Sequence, residues 1–222
     1  MLVNANFAHP AFVSPRDYRW VASPQAGVER VMLDRLGEEK ARATSIVRYA
    51  SESFFPKHPH PGGEEILVLS GTFSEGDQDY PEGWYLRNPP GSSHQPFSRD
   101  GAVIFVKLWQ MDATEAQHVR IDTRDESNWS ICDGRPVCDL FSHGGETVCL
   151  QRLASGERLF PQPQSSAEML VLSGTLHMAG TIFERGGWLR LPPGAYPDLA
   201  AGEEGACIYL KTGHLDELAG AR

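Results

Sequence analysis

The chain has 222 residues, of which 41% are hydrophobic and 22% are charged, and its formal net charge is -9. This length can hold one large or two small β domains, and the apolar fraction is sufficient for a folded core. The acidic balance, without any run of basic residues, argues against a nucleic-acid partner, because such binding depends on clustered lysine and arginine.

The amino-terminal segment lacks a charged region followed by an apolar one, and no stretch approaches the roughly eighteen apolar residues of a membrane span. We therefore expect a soluble, cytoplasmic protein without a membrane partner, as a monomer or a homodimer. The four cysteines form no Cys-x-x-Cys pair and are interpreted as small core residues, with a disulfide left open. They are Cys132, Cys138, Cys149 and Cys207.

Short β-rich runs separated by glycine and proline predict a sandwich or barrel. In chain order, residues 36–43, LGEEKARA, are the first stretch that is not β-rich, and they could form a helix or a solvated loop. The apolar runs ILVLSG, YLRNPPG and VIFVKLW follow. After Asp112 the polar residues 113–128 are interpreted as a linker or a peripheral segment.

A candidate metal site lies between these runs. His58 and His60 are two residues apart, so on an extended segment both side chains point to one face. A Pro-Gly-Gly bend brings Glu64 towards them, and His94 follows the rigid Pro-Pro-Gly turn at 89–91. Three imidazoles and one carboxylate suit zinc, iron, manganese, nickel or copper better than calcium or magnesium.

The runs recur about one hundred residues later. Residues 65–72 (EILVLSGT) match 168–175 (EMLVLSGT), 86–91 match 189–194, and 101–107 match 205–211. Collinear matches at nearly constant spacing predict an internal duplication. We therefore expect two domains, 1–112 and 113–222.

These residues resemble the two motifs of the cupin superfamily. His58, His60, Glu64 and Gly71 meet the first motif, and Pro89, Gly91 and His94 meet the second, although Ser98 replaces the usual asparagine. The sequence of residues 58–94 is similar to that of the ChrR-like cupin group, whose namesake is a zinc-dependent anti-sigma factor. The resemblance implies an all-β fold of two tandem cupin (double-stranded β-helix, jelly-roll) barrels, with one divalent metal ion, zinc as first choice, held by the four residues His58, His60, Glu64 and His94.

One departure limits what the resemblance implies for partners. The anti-sigma protein carries an amino-terminal zinc-binding helical domain marked by histidine and paired cysteines, and this chain has no cysteine before Cys132. A sigma-factor partner is therefore not expected for this chain alone.

The second copy keeps the turns but not the ligands. Its loop is two residues shorter and lacks histidine, Ala167 stands in place of Glu64, and Pro197 stands in place of His94. We expect no metal in this copy. Glu65 and Lys107 persist as Glu168 and Lys211, which indicates structural roles for both.

Three functions fit this pattern. The first is a regulatory or sensing metalloprotein, and the second is a metal-dependent dioxygenase or related enzyme acting on a small-molecule substrate. The third is a scaffold with a purely structural zinc. No general acid or base can be named. Aromatic residues near the motifs are interpreted as core rather than pocket lining. They are Phe54, Phe55, Phe73, Trp84, Tyr85, Phe97 and Trp109.

Overall fold

A computed structural model describes residues 1–38, 40–215 and 218. Its described elements are β-strands and two short 3-10 helices, Pro15–Asp17 and Glu126–Asn128. None of the helical segments in this part of the chain is long and apolar enough to cross a bilayer. The all-β class expected from the sequence is confirmed.

The strands, in chain order, are β1 (Leu2–Val3), β2 (Ala11–Val13), β3 (Val21–Ala22), β4 (Val28–Leu36), β5 (Arg42–Tyr49), β6 (Ser53–Phe54), β7 (His58–His60), β8 (Glu64–Glu75), β9 (Gln78–Pro81), β10 (Trp84–Asn88), β11 (Ser92–His94), β12 (Pro96–Ser98), β13 (Ala102–Leu108), β14 (Val119–Asp122), β15 (Ser130–Cys132), β16 (Arg135–His143), β17 (Glu146–Leu153), β18 (Ala167–Met178), β19 (Thr181–Phe183), β20 (Trp188–Leu191) and β21 (Ala200–Thr212).

The first compact unit comprises residues 1–5 and 19–124. Its main sheet has the strand order β1-β4-β5-β13-β8-β10-β14, is antiparallel and does not close on itself. Strand β13 shows how the sequence builds this core. Ala102, Ile104 and Val106 alternate along the strand and enter one apolar cluster, as a period of two requires. A separate two-stranded ribbon, β7 with β11, belongs to the same unit.

The second unit comprises residues 6–18 and 125–222. Its sheet has the order β15-β16-β17-β21-β18-β20-β2 and is also open. The central strands β16-β17-β21-β18-β20 follow the same order as β4-β5-β13-β8-β10 in the first unit. The repeated runs of the sequence therefore occupy corresponding strands, while their origin by duplication stays a prediction.

The units differ from the expected boundary after Asp112 in two respects. The first unit continues to Arg124, because β14 pairs along β10 from Trp84 to Arg87. Residues 6–18 join the second unit, because β2 pairs with β20. Short edge strands of this kind carry no periodicity long enough to recognise in a sequence.

The stretch 36–43 is not a helix in its described part. Strand β4 extends to Leu36 and β5 begins at Arg42, so the polar residues between them form the connection of a hairpin. Its alternative interpretation as a solvated loop agrees with this arrangement. Glu39 lies outside the described residues.

Candidate metal centre

The β7–β11 ribbon brings the three predicted histidines together. His58 and His60 flank Pro59 on β7, and His94 lies directly opposite His58 in the antiparallel register. The ring centroids are 4.9 Å apart for His58 and His60, 5.0 Å for His58 and His94, and 4.4 Å for His60 and His94. The i, i+2 spacing thus places the imidazoles on one face, as the sequence predicted.

Glu64, the first residue of β8, completes the cluster. Its Oε2 atom lies 3.5 Å from Nε2 of His60 and 3.3 Å from Nε2 of His94. One ligand atom from each of the four residues can be chosen so that all lie within 4.8 Å of one another. Two donors that each lie about 2.1 Å from one ion are separated by about 3.0 Å at a right angle and about 3.4 Å at the tetrahedral angle. The spacing therefore suits a single small cation.

The burial of two histidine nitrogens in the cluster also supports a bound cation. The Nε2 atoms of His60 and His94 are buried and have no hydrogen-bond partner within the described residues. A buried polar atom left without a partner costs about 1–3 kcal/mol. A metal ion between these nitrogens would remove that cost, so the donor set fits the ion that the sequence predicted.

A hydrogen bond on the far side of each ring holds the histidines in place. Nδ1 of His58 lies 2.8 Å from the carbonyl oxygen of Pro56, and Nδ1 of His60 lies 3.3 Å from Oγ of Ser92. Nδ1 of His94 lies 2.5 Å from Oε2 of Glu75. Donation from Nδ1 leaves Nε2 as the free lone pair, which is the tautomer that a metal ligand needs.

Glu75 and Arg120 form the strongest of these supports. Arg120 Nη2 donates to Oε1 of Glu75 at 2.7 Å, while the other oxygen of this carboxylate accepts from His94. Burial raises the pKa of Glu75, but the hydrogen bond from His94 and the guanidinium of Arg120 outweigh it and bring this pKa to about 2. Glu75 is therefore a permanent carboxylate against the histidine ring.

The two histidines on either side of Glu64 differ in their protonation. Burial lowers the pKa of His60, which favours the neutral imidazole. Burial also lowers the pKa of His94, yet the carboxylates of Glu64 and Glu75 together raise it above its usual value. His94 therefore holds a proton more strongly than His60 does. A cation that binds at this site would have to displace that proton from His94.

Asn88 connects Glu64 to the same support. It lies directly opposite Glu64 in the β8–β10 register, and its Nδ2 donates to Oε2 of Glu64 at 3.1 Å. Its Oδ1 accepts from Nη2 of Arg120 at 2.7 Å. Arg120 therefore orients two of the four candidate ligands through one intermediate residue each.

Sequence reasoning did not identify Glu75, Asn88 or Arg120. The sequence did contain an indication for two of them. In the alignment of the two copies, Met178 corresponds to Glu75 and Leu191 corresponds to Asn88. Both polar residues disappear with the ligands. Arg120 has no such signal, since its role depends on the pairing of β14 with β10.

Glu65 and Lys107 have the structural roles that the repeat indicated. Glu65 accepts from Nη1 of the buried Arg87 at 3.0 Å, and Lys107 donates to Oγ1 of Thr44 at 3.0 Å. Neither lies in the candidate ligand set. In the second unit Ala167, which corresponds to Glu64, is fully buried in the apolar core.

A cavity of about 370 Å³ adjoins the cluster within the first unit. His58, His60 and Glu64 line one part of it, and most of the remaining wall is apolar. Of the seven aromatic residues interpreted as core, Phe55 packs against the core and also lines this cavity. The interpretation was wrong for Phe54 and Trp109, which are exposed, and Trp109 lies at the cavity wall. The candidate metal position therefore borders a space large enough for a small organic molecule.

Comparison with protein families gives a match over residues 8–112 to the family described as "ChrR Cupin-like domain". No curated, functionally described protein has a sequence that matches this chain.

Solved structures resemble the chain over most of its length. A candidate dioxygenase from Nostoc punctiforme superposes with a TM-score of 0.71 at 14% identity, covering 97% of this chain and 83% of the other. A cupin 2 conserved barrel domain protein from Leptotrichia buccalis gives a TM-score of 0.61 at 15% identity, covering 96% and 99%. Oxalate decarboxylase from Bacillus subtilis, studied for its Mn(II) centres, gives 0.59 at 13% identity, covering 91% and 76%.

Identities this low show the fold and nothing further. The cupin fold inferred from the motifs is confirmed, and residues 8–112 are similar in sequence to the ChrR cupin-like family.

Proposed function

We propose that the first unit binds one divalent transition-metal ion through His58, His60, Glu64 and His94, and that it is a metal-dependent enzyme acting on a small molecule in the adjoining cavity. The observation that carries this proposal is that three of the four candidate ligands line the cavity. A purely structural ion would need no such space.

The donor set leaves room for chemistry. His58, His60, Glu64 and His94 would fill four positions of a six-coordinate ion, which would leave two positions for a substrate or another small molecule. When bound, such an ion supplies a Lewis acid and, if redox-active, a site at which dioxygen can react. An oxygenase is therefore the favoured reaction class, and the resemblance to a candidate dioxygenase supports it.

The chain's own residues prepare the ligand atoms. The hydrogen bonds at Nδ1 of the three histidines turn their Nε2 atoms towards one point. Asn88 fixes the carboxylate of Glu64. Phe55 and Trp109 contribute apolar wall, which limits water beside the metal and strengthens electrostatic interactions there.

The metal is one of those that imidazole and carboxylate ligands prefer: iron, manganese, nickel or zinc. Zinc as the first choice has no support from the structural relatives, because the metals named among them are manganese and nickel. A redox-active metal also fits the oxygenase proposal, since zinc cannot change oxidation state.

A second candidate function is regulation. The match of residues 8–112 to the ChrR cupin-like family favours a sensor, in which a ligand at the same metal changes the conformation of the unit. Both candidates need an ion that is open to the cavity. They differ in turnover, which only the enzyme shows.

The open coordination can be tested with nitric oxide as a probe. Protein loaded with Fe(II) under anaerobic conditions should give the high-spin iron-nitrosyl EPR signal, because two positions are accessible. The Glu64→Gln variant, with less metal bound, should give a proportionally weaker signal. A full complement of iron with no nitrosyl signal would mean a closed site and would refute the enzyme proposal.

Turnover is then measured as oxygen uptake by the iron- and manganese-loaded protein with a panel of small organic acids and neutral analogues. The enzyme proposal predicts uptake with at least one compound that is lost in His94→Ala. Ligand binding without uptake would favour the sensor.

A further inference from the structure

The cavity beside the candidate metal centre contains a cation that the proposed chemistry has not used. Arg30 lies on β4 directly opposite Val47, which is in turn opposite Ile104 on β13. All three side chains line the cavity. Arg30 is thus a charged residue in line with two apolar residues on the next two strands of the sheet, and all three form part of the cavity wall.

The guanidinium of Arg30 has no hydrogen bond or ion pair with any residue in the described part of the chain, and its Nε atom is buried. Unpaired arginine at a half-buried position is costly, because the charge loses hydration without gaining a partner. The other arginine on this wall, Arg35, donates to the carbonyl oxygens of Gly37 and Glu38. Of the two arginines, only Arg30 offers its charge to the cavity, and the third lining cation, Lys40, is exposed to solvent.

Tyr49 provides a second unused polar group. It lines the cavity two residues beyond Val47 on the same face of β5, and it is only 7% exposed. Its hydroxyl makes no hydrogen bond within the described residues. Because Tyr49 lines the cavity and its hydroxyl is not bonded to this part of the protein, this hydroxyl is available to a ligand there.

The second unit lacks both groups. In its sheet Val137 pairs with Gln151 and Gln151 with Ile208, the register that Arg30, Val47 and Ile104 have in the first unit. Val137 therefore corresponds to Arg30. Residues 48–51 (RYAS) also match 152–155 (RLAS), so Leu153 corresponds to Tyr49.

Val137 and Leu153 are both buried in the second core. The cation, the hydroxyl and the four candidate metal ligands are thus present together in one unit and absent together from the other. A shared ligand explains this joint presence more simply than separate structural roles.

We propose that the cavity binds a small organic acid, whose carboxylate is held by the guanidinium of Arg30 and the hydroxyl of Tyr49 and whose apolar body lies against Val47, Ile104 and Val106. A guanidinium matches a carboxylate with two parallel hydrogen bonds. A divalent ion with one carboxylate ligand also leaves positive charge at the site. This inference names the substrate class of the proposed function and rests on it.

The test is a titration of the metal-loaded protein by calorimetry with acetate, butanoate and hexanoate, each compared with its neutral amide. Hexanoate should bind at least about ten-fold tighter than hexanamide. Affinity should rise along the acid series by about four-fold for each methylene, the equivalent of about 0.8 kcal/mol of apolar burial.

Two substitutions assign the preference to the named groups. Arg30→Met should abolish the preference for acid over amide while metal content stays at the wild-type level, and Tyr49→Phe should reduce it a few-fold. Arg19→Met, which removes an exposed arginine of the same unit, is the matched control and should change nothing. If Arg30→Met does not fold, Arg30→Lys keeps the charge without the fork and should show an intermediate preference.

The outcomes separate this inference from the proposed function. A protein that binds no metal refutes the proposed function. Full metal content with equal affinity for acid and amide, or a preference that survives in Arg30→Met, overturns the organic-acid inference alone. Because Arg30 is an unpaired cation, Arg30→Met should also raise the melting temperature of the ligand-free protein, and a lowered one would show a structural role instead.

Discussion

The histidine rings of the candidate centre are fixed by partners outside the ligand set, and Glu75 is the most consequential of these. Its two oxygens contact Nδ1 of His94 and Nη2 of Arg120. Carboxylate partners of this kind set the orientation and basicity of a metal-bound imidazole.

Substitution of Glu75 measures this contribution. Glu75→Gln should weaken metal affinity by about ten- to a hundred-fold, because the ring of His94 loses its anionic partner. Competition with a chromophoric chelator gives the affinity. Asp77→Asn, which removes a carboxylate from the exposed turn nearby, is the control. Equal affinities for the two variants would contradict the role of Glu75.

The cysteines form a second prediction at the residue scale. All four are free thiols, and burial raises the pKa of Cys138 and of Cys149 to about 11. Both therefore stay protonated and unreactive near pH 8. Cys132 is exposed, so its interpretation as a core residue was wrong. An aromatic disulfide reagent should modify Cys132 first, and Cys132→Ala should remove the fast phase; a fast phase that persists would contradict this assignment.

Among the elements, strand β8 shows at Gly71 why the Ser-Gly-Thr sequence is repeated. Gly71 has φ of +71°, and a Cβ atom there would lie 2.1 Å from the carbonyl oxygen of Gly101. Gly174 meets the carbonyl of Gly205 at the same distance. Each glycine permits a close approach between its strand and a carbonyl oxygen of a neighbouring backbone segment.

A matched pair of substitutions isolates that contact. Gly71→Ala should destabilise the protein by about 2 kcal/mol more than Gly76→Ala, because both sites have positive φ but only the first meets a carbonyl. Urea unfolding gives the difference. Equal destabilisation would mean that backbone conformation alone accounts for the glycine.

The elements also show where sequence reasoning succeeds. The spacing of His58 and His60 is a local property of one strand, so it predicted their common face correctly. Arg30 and Glu75 escaped notice because their significance depends on strands distant in the sequence, such as β13 for the cavity and β14 for Arg120. The strand β2 was missed for the same reason.

For the whole molecule, the two units share a strand order but differ in what their cores contain. The first has polar groups around a cavity, whereas the second has the buried apolar residues Val137, Leu153 and Ala167 at three of the corresponding positions. A ligand that binds only the folded form stabilises it by about 2.7 kcal/mol when its concentration is a hundred times the Kd.

Metal should therefore stabilise one unit selectively. Hydrogen exchange followed by mass spectrometry should show slower exchange in β7, β8 and β11 when metal is added. Peptides from β18 and β20 provide the internal control and should be unaffected. Equal protection of both units would contradict a single site in the first.

The most direct test of the metal centre is the metal content of the protein, measured by inductively coupled plasma mass spectrometry. The wild type, His60→Ala and the control His9→Ala are compared, each purified without added metal and again after reconstitution. We predict about one equivalent of a transition metal per chain in the wild type and in His9→Ala, and a large loss in His60→Ala. Wild-type protein that holds no metal in any preparation, or His60→Ala protein that keeps the full equivalent, would contradict the account.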